Sequence, residues 1–315
     1  MTYQPPFTIS SRAVSLVAEI SALVERYVIR LEKSDTLKLR RANRIKTIHS
    51  SLAIEGNTLS LKQVTDILDG KRVVAPLREI QEVKNAIAAY DLASTLDPFS
   101  VKDLLKAHGM MMAALMDHPG EFRRSGAGVV KKGKVIHVAP PAHLVPQQMA
   151  ELFSWLRNAT DHPLIKSCVF HYEFEFIHPF TDGNGRIGRL WQSLILGNWN
   201  PYFLQIPVET MVYQNQTRYY RAINDSSAVN DSGIFIDFML RAILSALRGH
   251  ETGNATNPAD AVFRCIQTNP GIKAGALAEQ LAVSRRTAER YLQKLKQAGK
   301  IVFRGAPRNG GYYPK

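Results

Sequence analysis

The sequence predicts a mainly α protein: a helical bundle carrying one small β-hairpin, followed by a separate small domain of helices and two short strands. Three observations predict it. Apolar residues recur at helical spacing through most of the first 248 residues, a single pair of short β-branched runs interrupts that pattern, and residues 258–315 stand apart in charge.

Taken in order, the region from Ser11 to Lys46 spaces Val14, Val17, Ile20, Leu23, Val24 and Tyr27 as one face of an amphipathic helix. "RIKTIHSSLAIEGNTLSLKQ" reads as a helix that stops at Gly56, then a new helix capped by Ser60 with Gln63 three residues on. Helical spacing returns in "SVKDLLKAHGMMMAAL", "QQMAELFSWLRNA" and "IFIDFMLRAILSALRG". The exception is "GVVKKGKVIHV", Gly128 to Val138, where two β-branched runs flank a turn and signal a hairpin. "SCVFHYEFEFI" is a further helix stopped at His178-Pro179, because a proline cannot continue a helix interior. "DGNG" is a turn, and Ile187, Leu190, Trp191, Leu194 and Ile195 form the buried face of the helix after it. "GHETGNATNPAD" lacks periodicity and reads as a linker. The expected organisation is an N-terminal helical region (1–95), a core (96–248), a linker (249–257) and a terminal domain (258–315).

A length of 315 residues suits two or more domains, and a net charge of +13 with a pI near 9.8 points to polyanionic partners such as nucleic acid or nucleotide. Cys168 and Cys265 are too far apart and too few for a disulfide framework or a cysteine metal site. No basic-then-apolar leader and no run of ~18 apolar residues is present, so the expectation is a soluble cytoplasmic protein with no membrane partner.

The terminal domain holds eleven Lys/Arg against three Asp/Glu. "GALAEQLAVSRRTAERYLQKLKQAG" reads as helix, tight turn, helix, with Ser284 as N-cap and Ala288, Tyr291, Leu292 and Leu295 as the buried stripe, and "KIVFRGAPRNGGYYPK" supplies two short strands. This resembles a winged helix-turn-helix, which implies that Arg285, Arg286 and Arg290 face DNA while Arg304 and Arg308 on the wing meet phosphate. Such domains also serve in dimerisation or protein docking, so a second copy of the chain is another candidate partner.

The twelve residues "HPFTDGNGRIGR" concentrate the chemistry. Gly183, Asn184 and Gly185 sit where a loop enters a helix, and free N–H groups there suit a phosphate. Arg186 and Arg189, three apart, can fork onto one polyphosphate. Asp182 can hold a magnesium ion against it, and His178 has a pKa suited to accepting a proton from a hydroxyl. A rival arrangement, a transition-metal site from His171, Glu175 and His178, leaves the arginines and the Gly-Asn-Gly loop unexplained.

These residues match the Fic signature H-P-F-x-D/E-G-N-G-R-x-x-R at every specified position. The likeness continues in "YQPPF", "GEFRRS", "HVAPPAHLVPQQM", "HYEFEFIHPF", "RYYRAI" and "FIDFML". The resemblance implies a helical enzyme that moves AMP from ATP, with magnesium, to a hydroxyl of a target protein or of itself. It makes His178 the base, Asp182 the metal ligand, Gly183 to Gly185 the phosphate cradle, and Arg186 and Arg189 the clamps; Ile187 and Gly188 fall in the same nucleotide loop. It places a target-pairing flap at the hairpin, whose second strand, Val135, Ile136, His137 and Val138, borders the nucleotide. Tyr219 and Tyr220 are candidates either for adenine neighbours or for simple packing.

Ser51 to Gly56 matches the inhibitory S/T-x-x-x-E-G/N motif of many Fic proteins. The motif implies that Glu55 pairs with Arg189 and takes that clamp from the γ-phosphate, with Ser51 and Gly56 framing it. In relatives that remove AMP, the same glutamate orients a water. A different reading is a transcription regulator whose Fic part senses nucleotide.

Overall fold

The computed structural model describes residues 3–31, 36–126, 128–131, 134–251, 262–263, 265–267, 269–281, 285–306 and 310–315. They form two compact units, residues 1–247 and 248–315.

The first unit contains α1 (Ser11–Leu31), α2 (Thr36–Ile54), α3 (Leu61–Leu68), α4 (Leu77–Leu92), α5 (Val101–Met111), a hairpin of β1 (Gly128–Lys131) and β2 (Lys134–Val138), then α6 (Val145–Asn158), α7 (Pro163–Ile177), α8 (Asn184–Trp199), α9 (Val208–Gln214), α10 (Gln216–Val229) and α11 (Gly233–Glu251) as far as Leu247. One hydrophobic core reaches from Ala13 to Leu247, so the helices before and after residue 95 share it. At its centre α7 is buried on nearly every side, from Leu164 through Phe170 and Phe174 to Ile177. Such a helix needs no polar face. Against it packs α8, burying Ile187, Leu190, Trp191, Leu194 and Ile195, the stripe its sequence predicts. Trp191 is fully enclosed and its indole N–H donates to the Pro98 carbonyl at 3.0 Å, so truncation to alanine costs about 3–5 kcal/mol.

Two local features fix the chain on either side of Glu55. Ser60 and Gln63 form the expected capping box at α3, each side chain accepting from the other's backbone N–H. After α2 the chain reverses through Gly56 at φ +94°, with the Asn57 N–H returning to the Leu52 carbonyl at 3.1 Å. That left-handed turn favours glycine and leaves Glu55 projecting at the helix end.

The hairpin strands pair antiparallel, Gly128 with Val138 and Lys131 with Lys134, and the register slips between Val129 and Val130. Val129 faces His137 while Val130 faces Val135, so Ile136 is the extra residue of a bulge.

The α1 stripe is as predicted at Ile20, Leu23 and Val24, with Val17 partly buried, and departs from the prediction at its start. Ala13, Leu16, Ile20, Leu23 and Val24 are buried, whereas Val14 is 60% exposed. Ala13 is fully enclosed; the side chain of Tyr27 lies outside the described residues.

The second unit has helices Ala274–Gln280 and Arg285–Gln297, and strands β3 (Ile301–Arg304) and β4 (Gly311–Pro314) paired antiparallel with Arg304 opposite Gly311. A bridge from Ile272 to Tyr312 extends the small sheet. Its core joins Val262, Ile266, Leu277, Ala288, Leu292, Leu295 and Ile301. Tyr291, expected in that stripe, packs only partly buried at its edge. A Cβ at Gly311 would collide with the Gly271 backbone, so the two chain segments approach as only glycine allows. Ser284 and Arg308 lie outside the described residues.

Among the described residues no helix is long and apolar enough to cross a membrane.

Candidate active site

The junction of α7 and α8 builds the site. At the C-cap of α7, His178 adopts φ +51°, ψ +60°, left-handed for a residue with a Cβ, with its N–H on the Phe174 carbonyl at 2.9 Å. Pro179 ends the helix. Asn184 then closes the loop on itself: its Oδ1 accepts from the Phe180 N–H at 2.9 Å and its Nδ2 donates to the Phe180 carbonyl at 2.8 Å. Gly183, at φ +85°, starts α8, and a Cβ there would strike the Met112 sulfur.

Six charged side chains gather on and beside this loop. The Asp182 carboxylate is 49% exposed; its Oδ1 accepts from the Gly183 N–H at 2.6 Å and from Arg186 at 2.9 Å, and its Oδ2 lies 3.5 Å from Arg78 of α4. Arg186 is buried and also lies 3.9 Å from Glu82 of α4. Arg189, 3% exposed, donates to Glu55 Oε1 at 2.7 Å, to the Ser51 hydroxyl at 3.1 Å and to the Ser51 carbonyl at 2.9 Å. Burial alone would lower the Arg189 pKa, but Glu55 first, with Tyr219 and Glu175 beside it, together more than offset it and hold the guanidinium charged. A Cβ on Gly185 would collide with Glu55 Oε1 and crowd Arg189 at 2.9 Å. The Glu55 carboxylate therefore rests directly on the first turn of α8, at the positive end of its dipole.

His108 of α5 sets the loop from below. Its Nδ1 accepts from the Gly120 N–H at 2.8 Å, which assigns the proton to Nε2, and Nε2 donates to the Asp182 carbonyl at 3.0 Å. The ring stacks on Phe180 at 3.6 Å, and burial pushes its pKa down to about 4, so it stays neutral.

His171 likewise does not face outward. Gln192 Oε1 lies 2.6 Å from its Nδ1 and the Tyr219 hydroxyl 3.0 Å from its Nε2, and burial lowers its pKa to about 4. With both ring nitrogens engaged, His171 has none to spare for a metal, and among the described residues no group of three His, Cys, Asp or Glu could hold one. Tyr219 is buried in the core behind Arg189, while Tyr220 is partly buried and feels Glu55, burial first and that carboxylate second raising its pKa to about 12. The fold thus brings His178, Asp182, Gly183 to Gly185, Arg186, Arg189, Ser51 and Glu55 together, with Ile187 and Gly188 inside the α8 turn. It places Tyr219 in packing. Val135 to Val138 lie in β2, and their side chains lie outside the described set.

Four residues of the site have no role assigned to them by the sequence, although one lies in a stretch of the family likeness. Arg78, Glu82 and His108 come from α4 and α5, and Arg123 sits within "GEFRRS", a stretch whose spacing implies no role for it. Buried and directly beneath the hairpin, Arg123 donates from Nε to the His178 carbonyl at 2.7 Å.

In the second unit Arg285, Arg286, Arg290 and Arg304 are exposed. Arg285 pairs with Glu289 at 2.9 Å, and the guanidiniums of Arg290 and Arg304 lie over the rings of Tyr291 and Tyr313.

Among known proteins, the Fic/DOC family model matches residues 98–196, and an HTH-domain model matches residues 260–313. The crystal structure of a Fic family protein from Desulfovibrio desulfuricans G20 is similar over 99% of this chain and 98% of that one, with 43% identity and a TM-score of 0.77. Fic-1 (aa134–508) from Caenorhabditis elegans shares the fold at a TM-score of 0.61 and 22% identity, over 77% of this chain and 74% of that one. In sequence, the chain is 32% identical over 190 residues to protein adenylyltransferase fic-1 of C. elegans and 34% identical over 178 residues to protein adenylyltransferase Fic of Aedes aegypti. Those stretches are 56% and 52% of this chain and 35% of either relative, so the chain spans about a third of their length.

Proposed function

The chain belongs to the Fic/DOC family, and from that premise we propose that it is a protein adenylyltransferase, moving AMP from ATP to a hydroxyl side chain of a protein and restrained by Glu55. The observation that carries the reading is the convergence of His178, Asp182, the Gly183–Gly185 turn and two buried arginines on one helix start.

In this reading Gly183 to Gly185 present backbone N–H groups to the phosphates, and Arg186 and Arg189 neutralise the outer ones. His178 accepts the proton of the target hydroxyl as its oxygen bonds to the α-phosphorus and the bond to the leaving pyrophosphate breaks. Asp182 suits a magnesium ion: its oxygens are hard donors, half of the side chain faces solvent, and its present side-chain partners are cations. When bound, that ion neutralises polyphosphate charge. Glu55 pairs with Arg189 and covers Gly185, which restrains productive seating of the γ-phosphate. The hairpin would receive the target segment by strand pairing.

The test incubates the protein with ATP and magnesium and follows addition of AMP to protein by mass, in wild type and His178→Ala. Transfer retained by His178→Ala would overturn the assignment.

A second reading is favoured by the second unit. The exposed Arg286 and Arg290, on the face opposite the buried Ala288, Leu292 and Leu295, with the exposed Arg285 at the start of the same helix, support binding of duplex DNA. Operator binding indifferent to ATP and to His178 would make the regulator the primary role. Removal of AMP, with Glu55 orienting water, is tested by release of AMP from a modified substrate.

A further inference from the structure

We propose that Arg123 is a positioning residue that joins the hairpin to His178, so that flap geometry and base geometry are set by one guanidinium. The inference rests on the proposed transfer reaction and names a residue that reaction does not otherwise use.

The guanidinium spans two structures. On one side Nε donates to the His178 carbonyl at 2.7 Å and NH2 to the Ile177 carbonyl at 3.3 Å, the last carbonyls of α7. On the other, NH1 donates to the Ser125 carbonyl at 2.9 Å, just before β1, and NH2 to the Pro140 carbonyl at 2.5 Å, just after β2. The Arg123 backbone N–H adds a bond to the Pro179 carbonyl at 2.9 Å. Both stems of the hairpin and the end of the helix bearing His178 thus meet on one side chain that is 4% exposed.

No carboxylate of the described residues pairs with this cation. Its charge is met by carbonyl oxygens and by the negative end of the α7 dipole, where an arginine is favourable. The planar fork suits the task, because a lysine ammonium cannot reach four carbonyls in two directions. His178 needs such support. A left-handed backbone on a residue with a Cβ persists only where its surroundings over-determine it, and here Phe174 fixes its N–H while Arg123 fixes its carbonyl. Moving that carbonyl swings the imidazole. Freeing Ser125 and Pro140 releases the hairpin that would present the hydroxyl.

The test compares wild type, Arg123→Lys and Arg124→Ala, the last a neighbour that is 83% exposed and paired only with Glu121 among the described residues. Transfer kcat, KM for ATP and amide exchange are measured at matched folded protein. Arg123→Lys is expected to lower kcat by on the order of 10²-fold, since small misplacement of reacting groups has that effect. KM for ATP should hold, because Arg123 does not touch the nucleotide loop, and exchange should rise in residues 128–131 and 134–138 more than elsewhere. Arg124→Ala should match wild type in all three. Unchanged hairpin exchange, or a kcat loss shared with Arg124→Ala, would overturn the proposal, as would loss of ATP binding in step with kcat. If Arg123→Lys does not fold, native-state exchange of the wild type decides: the amides of Arg123, His178 and the paired hairpin residues should open with one common free energy, and unrelated values would refute the joint. Exchange does not depend on the reaction, so a wild type without transfer activity fails the function and leaves the joint separately testable.

Discussion

Arg186 and Arg189 begin α8 in the first unit; Arg285, Arg286 and Arg290 begin the helix Arg285–Gln297 in the second. All five are cations on the first turns of a helix, where the dipole disfavours them. In α8 they are buried, and each is held by a named carboxylate: Asp182 and Glu82 for Arg186, Glu55 for Arg189. In the second helix they stand in solvent with one exposed ion pair among the described residues, Arg285 to Glu289, a contact worth little. The difference teaches what each group can recognise. A buried arginine accepts an anion only of the shape its pocket leaves open, whereas exposed ones act as a field that salt screens.

The sharpest way to separate the two is His178→Ala. AMP transfer should fall by about 10²–10⁴-fold while DNA affinity stays unchanged. Loss of both together would mean that the regions do not divide the work as their burial suggests.

Next in size is Glu55→Gly. It leaves Arg189 buried without its carboxylate, so thermal stability without nucleotide should drop by up to about 3 kcal/mol, the low end for such pairs because a third of the Glu55 side chain meets solvent. ATP with magnesium should restore much of that loss, and transfer should exceed wild type. Melts with and without nucleotide, beside transfer rates, read both movements; a variant that is less stable and no more active marks Glu55 as structural.

For the exposed set, raising salt from about 50 to 200 mM should weaken duplex binding by roughly 40-fold if three phosphates are neutralised, with little change in transfer. Alanine at Arg285, Arg286 and Arg290 together should flatten that dependence. Salt sensitivity of transfer rather than of DNA binding would reverse the comparison.

The smallest effect concerns pH. Burial holds His108 and His171 at about 4 against 6.5 in the unfolded chain, so their stabilisation is complete above pH 6.5 and is lost as pH falls towards 4. Burial raises Glu173 and Glu175 to about 7 from 4.5, so theirs is complete below pH 4.5 and is lost as pH rises towards 7. Between pH 4.5 and 6.5 the two trends oppose, and the melting temperature should be nearly level as far as these four groups decide it. Glu173→Gln should tilt it upward with pH; an unchanged profile would show that Glu173 does not titrate in this window.

The hairpin, the α7–α8 turn and helices such as α5, α6 and α11 are legible in the sequence because their signals are local: spacing, proline, glycine and a cap; α4, α9 and α10 are not read from it, and the single helical stretch from Ser11 to Lys46 is divided between α1 and α2. The arginines are legible as a pair, though not as buried, since burial depends on α2 and α4 arriving from elsewhere in the chain. Arg123 is silent because its partners are backbone carbonyls, which no side-chain pattern records. His108 is hidden inside an ordinary helical stripe, where it looks like any core-facing residue. The α1 stripe shows the same limit in reverse. Periodicity gives its pitch, but only packing against neighbours decides that Ala13 turns inward and Val14 outward.

The short reach from α2 to Gly185 has a further consequence on the proposed reading. Glu55 is in effect a ligand of the α8 anion site that can never diffuse away, at an effective concentration set by how α2 holds it against Gly185. Nucleotide must then compete with a fixed internal rival. Occupancy would follow the ratio of free ATP to that rival, and a chain of this design would report the nucleotide level around it, with the strength of one carboxylate–guanidinium contact setting the threshold.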